Sequence, residues 1–264
     1  MAQVSVVDVQ KNFTLSLSSG DKEIRALRGA SFEVAQGEIV AITGASGCGK
    51  TTMLRIIMGL DDPTGGDVYV SGKAVTGCGY DRGMVFQHAE LLPWRSALDN
   101  IEFGLQMKGM SRTERRVHAE KYLNLVGLDH ARDRKPHQLS GGMKQRVGIA
   151  RALAIEPDVL LMDEPFSALD AQTREMLQAE LLEIHAMTGK TIIIVTHDLD
   201  EAILLADRVV VMETGSVKEI LNIALPRPRG PLAEMRAETE FSHNRIRLWE
   251  LLHADEAKSA GGAH

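Results

Sequence analysis

Apolar and polar residues alternate in short runs over residues 4–40. Val4, Val6 and Val9 form one such run, and polar residues 18–21 separate it from the next. Alternation with a period of two is typical of strands with one buried face, and the polar break favours a turn. The pattern therefore predicts antiparallel strands at the N-terminal end of the chain.

Continuous apolar runs replace this alternation further along the chain and predict fully buried strands. They lie at residues 38–43, 83–86, 159–162, 192–196 and 209–212. Helical patterns separate several of them: residues 171–188 place Leu177, Leu181 and Ile184 on one face and end at Gly189. Strands that alternate with helices favour a parallel sheet covered on both faces, so we predict an α/β fold.

Residues 88–158 have helical periodicity and lack a strand pattern. Ser111 and Glu114 have the spacing of a capping box at the start of a helix. The apolar residues that follow, beginning with Val117 and Tyr122, are assigned to one helical face. We predict that this stretch is a helical subdomain inserted into the α/β fold.

The composition of the chain disfavours several classes of protein. The 264 residues include 30 Lys and Arg against 36 Asp and Glu, a formal net charge of -6, which argues against binding nucleic acid through overall charge. Two cysteines are too few for a disulfide framework. No apolar run approaches the roughly 18 residues that a membrane helix needs, and the first residues do not resemble a signal peptide. We expect a cytosolic chain whose role at a membrane depends on a partner.

The run at residues 38–43 leads into a glycine-rich segment. Its residues are Gly44, Ala45, Ser46, Gly47, Cys48, Gly49, Lys50, Thr51 and Thr52. Two glycines five positions apart, followed by Lys and a hydroxyl residue, form the pattern of a phosphate-binding loop. The glycines let backbone N–H groups converge, and the following helix adds its positive dipole end. Lys50 would reach the β- and γ-phosphates, and the Thr51 hydroxyl would hold Mg²⁺.

Polar residues follow two of the predicted buried strands. Gln87 follows residues 83–86, and Asp163 and Glu164 follow residues 159–162. Ligands bind at the carboxyl ends of strands in parallel α/β sheets. Beside a phosphate-binding loop, Asp163 would order Mg²⁺, and Glu164 would polarise water for attack on the γ-phosphate. A solvated acidic turn is the alternative interpretation.

Three further features allow both a structural and a functional interpretation. Ser140, Gly141 and Gly142 open a helix, either as a plain N-cap or as a second anion site. Phe13 ends the first strand, either as a packing aromatic or as a platform on which adenine stacks. Residues 90–95 include Leu, Pro and Trp, and they either fill a core or form an apolar groove for a partner.

Together these motifs resemble the ATP-binding subunits of ABC transporters. Residues 139–145 (Leu-Ser-Gly-Gly-Met-Lys-Gln) are similar to the family signature, and the other hallmarks follow in the family order. They are Gln87 as the Q-loop, Ser167, Ala168, Leu169 and Asp170 as the D-loop, His197 as the switch histidine, and Phe13 as the adenine-stacking aromatic. The resemblance covers about residues 4–225. It implies a phosphate-loop (RecA-like) α/β core with an N-terminal antiparallel β subdomain and an inserted α-helical subdomain.

The resemblance also implies the ligands and the roles of individual residues. ATP and Mg²⁺ would be the cofactors. Glu164, His197, Gln87 and Lys50 would be catalytic; Phe13, residues 44–52, Ser140, Gly141, Gly142 and Asp170 would contact ATP; and Thr51, Gln87 and Asp163 would hold Mg²⁺. The chain would form an ATP-dependent, head-to-tail homodimer in which the Ser140 helix end of one subunit closes on the ATP bound to the other.

An importer is the transporter type that the resemblance favours. Separate transmembrane permease subunits would dock near residues 87–94, a solute-binding protein would act indirectly, and the chain would lie on the cytoplasmic face of the plasma (inner) membrane. Residues 81–87, 92–94 and 225–229 are similar to the nitrate, sulfonate and taurine branch. The expected cargo is therefore a small solute of that kind.

The resemblance divides the chain into an ATPase domain at residues 1–225, with the insertion at about 88–158, and a C-terminal tail at 226–264. The tail is expected to contain a short helix around residues 245–252. The sequence fits two other classes of protein less well. A soluble ABC ATPase acting on nucleic acid or ribosomes is disfavoured because the chain lacks a basic patch and a long coiled coil. A phosphate-loop kinase or GTPase is contradicted by the signature and by His197.

Overall fold

The computed structural model of the chain describes residues 2–17 and 20–260. The predicted turn at residues 18–21 therefore lies partly outside the described residues. Among the helices that are described, none combines the length and apolarity needed to cross a membrane.

The described chain contains ten strands and eight α-helices. The strands are β1 Ala2–Leu17, β2 Gly20–Ala35, β3 Ile39–Gly44, β4 Gly65–Val70, β5 Lys73–Ala74, β6 Arg82–Val85, β7 Val159–Asp163, β8 Thr191–Val195, β9 Arg208–Glu213 and β10 Ser216–Asn222. The helices are α1 Lys50–Met58, α2 Ala97–Met107, α3 Arg112–Leu125, α4 Gly141–Ala154, α5 Ala171–Thr188, α6 Leu199–Leu205, α7 Leu232–Ala237 and α8 Thr239–Ala260. Two compact units result, one from residues 1–77 and 195–264 and one from residues 78–194.

The first unit contains the predicted antiparallel β-region. Its strands lie in the order β2-β1-β4-β5, with β1 antiparallel to both β2 and β4. Val4, Val6 and Val9 are buried. Val4 and Val6 follow the predicted alternation, whereas Val9 is one position out of phase because the register of β1 shifts between Val6 and Val9. The same unit pairs β3 parallel to β9 and β9 antiparallel to β10. All six residues of β3 are buried, which explains why every one of them except Thr43 is apolar.

The second unit contains the strands β6, β7 and β8 and the helices α2 to α5. β6 and β7 are parallel, with Val85 opposite Met162, so the predicted parallel pairing is confirmed here. Residues 86–158, all of them described, form helices and turns without a strand. Helix α5 buries the predicted face and ends at Gly189, which adopts a left-handed φ of 60°.

Helix α3 confirms one prediction and corrects another. Ser111 and Glu114 form the capping box: the Glu114 amide donates to Ser111 Oγ at 3.3 Å, and the Ser111 amide donates to Glu114 Oε2 at 3.1 Å. Val117, however, is 65% exposed, whereas Tyr122 is 7% exposed. The assignment of both to one face was wrong because five residues rotate a helix by about 140° beyond a full turn.

The C-terminal tail is more helical than predicted. In place of a short helix around residues 245–252, the structure has α7 and the 22-residue α8. Phe241, Leu248 and Leu251 are buried along one face of α8, and this packing extends the helix upstream of the predicted start. The domain boundary at residue 225 and the insertion at about residues 88–158 stay predictions.

Candidate nucleotide-binding site

The glycine-rich segment joins β3 to α1 in the first unit. A Cβ on Gly44 would lie 2.3 Å from the Met212 carbonyl oxygen, and Gly49 adopts a φ of +105°. Only glycine tolerates such approaches and such a φ without strain. The backbone of strand β9 and the start of α1 therefore fix the shape of this loop.

Lys50 lies at the centre of the loop and is 8% exposed. Its Nζ donates to the carbonyl oxygens of Gly44 at 2.8 Å and Ala45 at 2.9 Å, and it lies 3.9 Å from Cys48 Sγ. Burial raises the pKa of the Cys48 thiol, although the Lys50 cation opposes that shift. The Lys50 ammonium group is therefore bound by carbonyl oxygens of the same loop that would bind an anion.

The loop fits a polyphosphate. Ala45, Ser46 and Gly47 are exposed along its rim, and Gly49 at the N-cap of α1 supplies no side chain to cap the first turn. Backbone N–H groups at a helix start, together with a buried cation, form an anion-binding cradle. Thr51 and Thr52 follow in the first turn of α1.

Phe13 lies on β1, opposite Ile24 of β2. Its ring is 37% exposed, and Lys11 Nζ lies 5.1 Å from the ring centroid. The ring is thus an exposed aromatic, which excludes the interpretation that it fills a core. A stacking role for Phe13 stays a prediction.

His197 follows β8 and belongs to the same unit as the phosphate-binding loop. The Thr196 amide donates to the Ile42 carbonyl oxygen at 3.1 Å, so the chain just before His197 runs beside β3 near its carboxyl end. His197 itself is exposed. The fold thus brings the histidine to the strand edge from which the loop departs.

Gln87, Asp163 and Glu164 lie in the second unit. Since β6 and β7 are parallel, the residues that follow Val85 and Met162 leave the sheet at one edge. Gln87 is exposed there, and both carboxylates are partly buried. The fold thus places the predicted Q-loop residue and the two acids at the same edge of this unit.

Glu164 has an unusual backbone conformation, with a φ of +45°. Ser167 stabilises it, because the Ser167 hydroxyl donates to the Glu164 carbonyl oxygen at 2.9 Å. A left-handed non-glycine residue costs roughly 1–2 kcal/mol and marks positions that surrounding structure holds in place. The direction of the Glu164 side chain is therefore determined by this turn.

Three polar side chains, of which Gln145 and Asn100 are buried, anchor the chain on both sides of Gln87, and sequence reasoning missed these contacts. Gln145 Nε2 donates to the Phe86 carbonyl oxygen at 3.1 Å, and the Arg151 guanidinium donates to the carbonyl oxygens of residues 89 and 90 at 2.7 Å each. Asn100 bonds both the amide and the carbonyl group of residue 92. A polar residue within a helix pattern is the signal that could have identified Gln145 and Asn100, whereas the sequence around Arg151 carries no such signal.

Ser140 caps α4, accepting from the Met143 amide at 3.3 Å, and the exposed Gly141 follows. Asp170 caps α5 in the same way, and the hydrogen bond from the Thr173 amide holds the pKa of this carboxyl group below its usual value. The two helix starts are adjacent: a Cβ on Gly142 would lie 2.6 Å from Thr173 Cγ2.

Residues 90–95 present their tryptophan to solvent. Trp94 is 70% exposed, while Arg95 packs over the Phe103 ring at 5.0 Å from the centroid. The core-filling interpretation therefore does not hold for Trp94. The exposed ring is held on a segment that Asn100 and Arg151 anchor.

A phosphate-binding loop on a parallel α/β core, with two acids and a glutamine at a strand edge, defines a phosphate-loop nucleotide-binding protein. The comparisons with known proteins narrow this class. The sequence profile of the ABC transporter family matches residues 27–167. The chain therefore belongs to the ABC transporter family, and it is an ATP-binding cassette that hydrolyses ATP.

Two relatives and one solved structure illustrate the similarity. An uncharacterized ABC transporter ATP-binding protein of Methanocaldococcus jannaschii is 48% identical over 251 residues, covering 94% of this chain and 92% of that protein. The nitrate transport protein NasD of Klebsiella oxytoca is 41% identical over 263 residues, covering 97% and 98%. The dimeric, post-hydrolysis ATP-binding cassette MJ0796 bound to ADP and Pi has a TM-score of 0.74 and 36% identity, covering 84% and 100%.

Proposed function

We propose that this chain powers the import of a small anion of the nitrate and sulfonate class through separate membrane subunits. The similarity to a nitrate transport protein extends over nearly the full length of both chains. The cargo itself would be selected by the membrane subunits and a solute-binding protein.

The first unit would bind the nucleotide. Phe13 would stack on adenine, and the amides of residues 44–52 would bind the phosphates. On ATP binding, Lys50 would exchange the carbonyl oxygens of Gly44 and Ala45 for phosphate oxygens. Support comes from the burial of this cation against neutral partners, because a charged ligand is a stronger partner for an ammonium group.

Residues of both units would supply the chemistry of hydrolysis. Glu164 of the second unit would accept a proton from the attacking water, while Gln87 of the second unit and His197 of the first would contact the γ-phosphate. The donor set of Thr51, Gln87 and Asp163 consists of oxygen ligands, which Mg²⁺ prefers. Mg²⁺ held there would neutralise charge on the β- and γ-phosphates.

A head-to-tail homodimer would complete each site. The exposed start of α4, with Ser140 and Gly141, lies beside the Asp170 cap and offers backbone N–H groups to a phosphate. A partner subunit's ATP would fill this position. The dimeric state of the related cassette MJ0796 supports this arrangement.

The membrane subunits would dock on residues 87–94, around the exposed Trp94. This segment follows Gln87 directly, so a change at the γ-phosphate would reach the docking surface through a short, anchored stretch of chain. The protein would then lie peripherally on the cytoplasmic face of the membrane.

The observation that carries the catalytic part of the proposal is the position of Glu164, which follows β7 in a strained turn held by Ser167. We expect Glu164→Gln to bind ATP normally, to lose at least about 100-fold in kcat because the general base is removed, and to accumulate as an ATP-bound dimer.

The measurements are phosphate release and size-exclusion chromatography with MgATP. Glu183→Gln, an exposed carboxylate on α5, is the matched control and should turn over normally. Hydrolysis by the Glu164 variant at the wild-type rate would refute the assignment of the base.

A further inference from the structure

His197, the predicted switch histidine, is connected to helix α6 through Asp198. Asp198 follows His197 directly, and its amide donates to Thr196 Oγ1 at 3.0 Å. The Asp198 carboxylate then caps α6 by accepting from two amides of its first turn. His197 is thus held between the Ile42 contact of Thr196 and the start of α6, so a shift of this helix would move the histidine.

The C-terminal tail contacts the other end of the same helix. Arg227 Nη2 donates to the Leu205 carbonyl oxygen at 2.6 Å, and its Nε donates to Asp207 Oδ1 at 2.7 Å. Arg229, whose side chain is fully buried, donates to the Ala206 carbonyl oxygen. Cationic groups at a helix C-terminus satisfy its carbonyls and its dipole.

The tail also contacts the first turn of α6. Arg245 of α8 pairs with Asp200 at 2.7 Å, three residues beyond His197. The buried face of α8, which includes Phe241 and Leu248, packs this helix against the same unit. The tail therefore contacts α6 at both its N-terminal and its C-terminal end.

We propose that the tail positions His197 for ATP hydrolysis by holding α6, and that Arg227, Arg229 and Arg245 are positioning residues. The inference rests on the proposed role of His197 at the γ-phosphate. None of the three arginines belongs to the nucleotide site itself. Their action would pass through the carbonyls and the carboxylate of α6 and its flanking residues.

A general stabilising role of the tail is the competing explanation, and the chain offers a matched control against it. Arg247, two residues beyond Arg245 on α8, pairs with Glu219 of β10 at 2.9 Å. The two arginine side chains are similarly exposed, at 60% for Arg245 and 50% for Arg247. Both ion pairs attach α8 to the same unit, but only the Arg245 pair reaches the switch helix.

The test compares Arg245→Ala with Arg247→Ala in steady-state ATP hydrolysis and in hydrogen exchange of residues 199–205. We expect Arg245→Ala to lower kcat about two- to five-fold, the range that loss of one exposed ion pair allows, without changing KM for ATP. Exchange in α6 should accelerate in this variant alone. The reversed pair Asp200→Arg with Arg245→Asp should restore kcat.

Combining these changes with His197→Ala distinguishes the positioning role of the tail from the proposed role of the histidine. If His197→Ala lowers kcat and Arg245→Ala has no further effect in that background, the positioning role is supported. Equal kcat for the Arg245 and Arg247 variants, or an unchanged effect of Arg245→Ala without the histidine, would overturn the inference. If His197→Ala turns over at the wild-type rate, the proposed role of the histidine fails instead.

Discussion

Gly47 and Gly49 of the phosphate-binding loop differ in the contacts that an alanine side chain would make there. At Gly49, with a φ of +105°, a Cβ would lie 2.7 Å from the Ala26 carbonyl oxygen and 2.7 Å from Leu27 Cδ2. At Gly47, with a φ of +78°, a Cβ would have no heavy atom within 4 Å. Alanine at Gly47 therefore meets only backbone strain, whereas alanine at Gly49 also collides with the backbone of β2.

The difference in cost follows from these contacts. A left-handed alanine costs about 1–2 kcal/mol at either position. Overpacking adds about 1–3 kcal/mol at Gly49 alone, because the Ala26 carbonyl belongs to a paired strand that cannot move as a side chain would. At roughly 2–4 °C per kcal/mol, Gly49→Ala should lower Tm by about 2–12 °C more than Gly47→Ala does.

Thermal unfolding without nucleotide measures the difference, and titration with a fluorescent ATP analogue measures its effect on the site. Gly49→Ala should also lose at least about tenfold in nucleotide affinity relative to Gly47→Ala, because the loop must shift to relieve the contact. Equal Tm and equal affinity in the two variants would refute this account of the loop.

Two further predictions concern side chains of the same loop. Lys50→Ala should weaken nucleotide binding itself. The change removes an ammonium group that, among the described residues, is the only buried one beside the proposed phosphate position. Unchanged affinity in calorimetry would count against the phosphate-loop role. Cys48 should be alkylated slowly at neutral pH, because burial raises its pKa and the reactive thiolate forms only as pH rises towards and above the usual thiol value. MgATP should slow the labelling further, while the exposed Cys78 should be unaffected in the same mass spectra.

The continuously apolar runs and the glycine-rich loop made the core of the fold predictable. Strand β3 is buried at every position, and a buried strand followed by Gly44 and Lys50 has few alternative interpretations. The C-terminal end of α5 was equally predictable from the sequence, since Gly189 is a left-handed C-cap. These features depend on local sequence, and local sequence was sufficient.

Features that depend on tertiary contacts were not predictable. Arg151 looks like an ordinary charged helix residue, yet it is partly buried and holds the segment after Gln87. The strained φ of Glu164 leaves no mark on its sequence, because it is imposed by the turn that Ser167 closes. The length of α8 depends on packing of its apolar face, which weak helix formers near its start concealed.

The most direct test of the account is to capture the Glu164→Gln protein from host membranes solubilised with MgATP and to identify its partners. We predict recovery of a polytopic membrane protein in stoichiometric amounts, with less recovered when Trp94 is replaced by Ala. Recovery of ribosomal or nucleic-acid partners alone would contradict the importer, although the mechanism of ATP hydrolysis would stand.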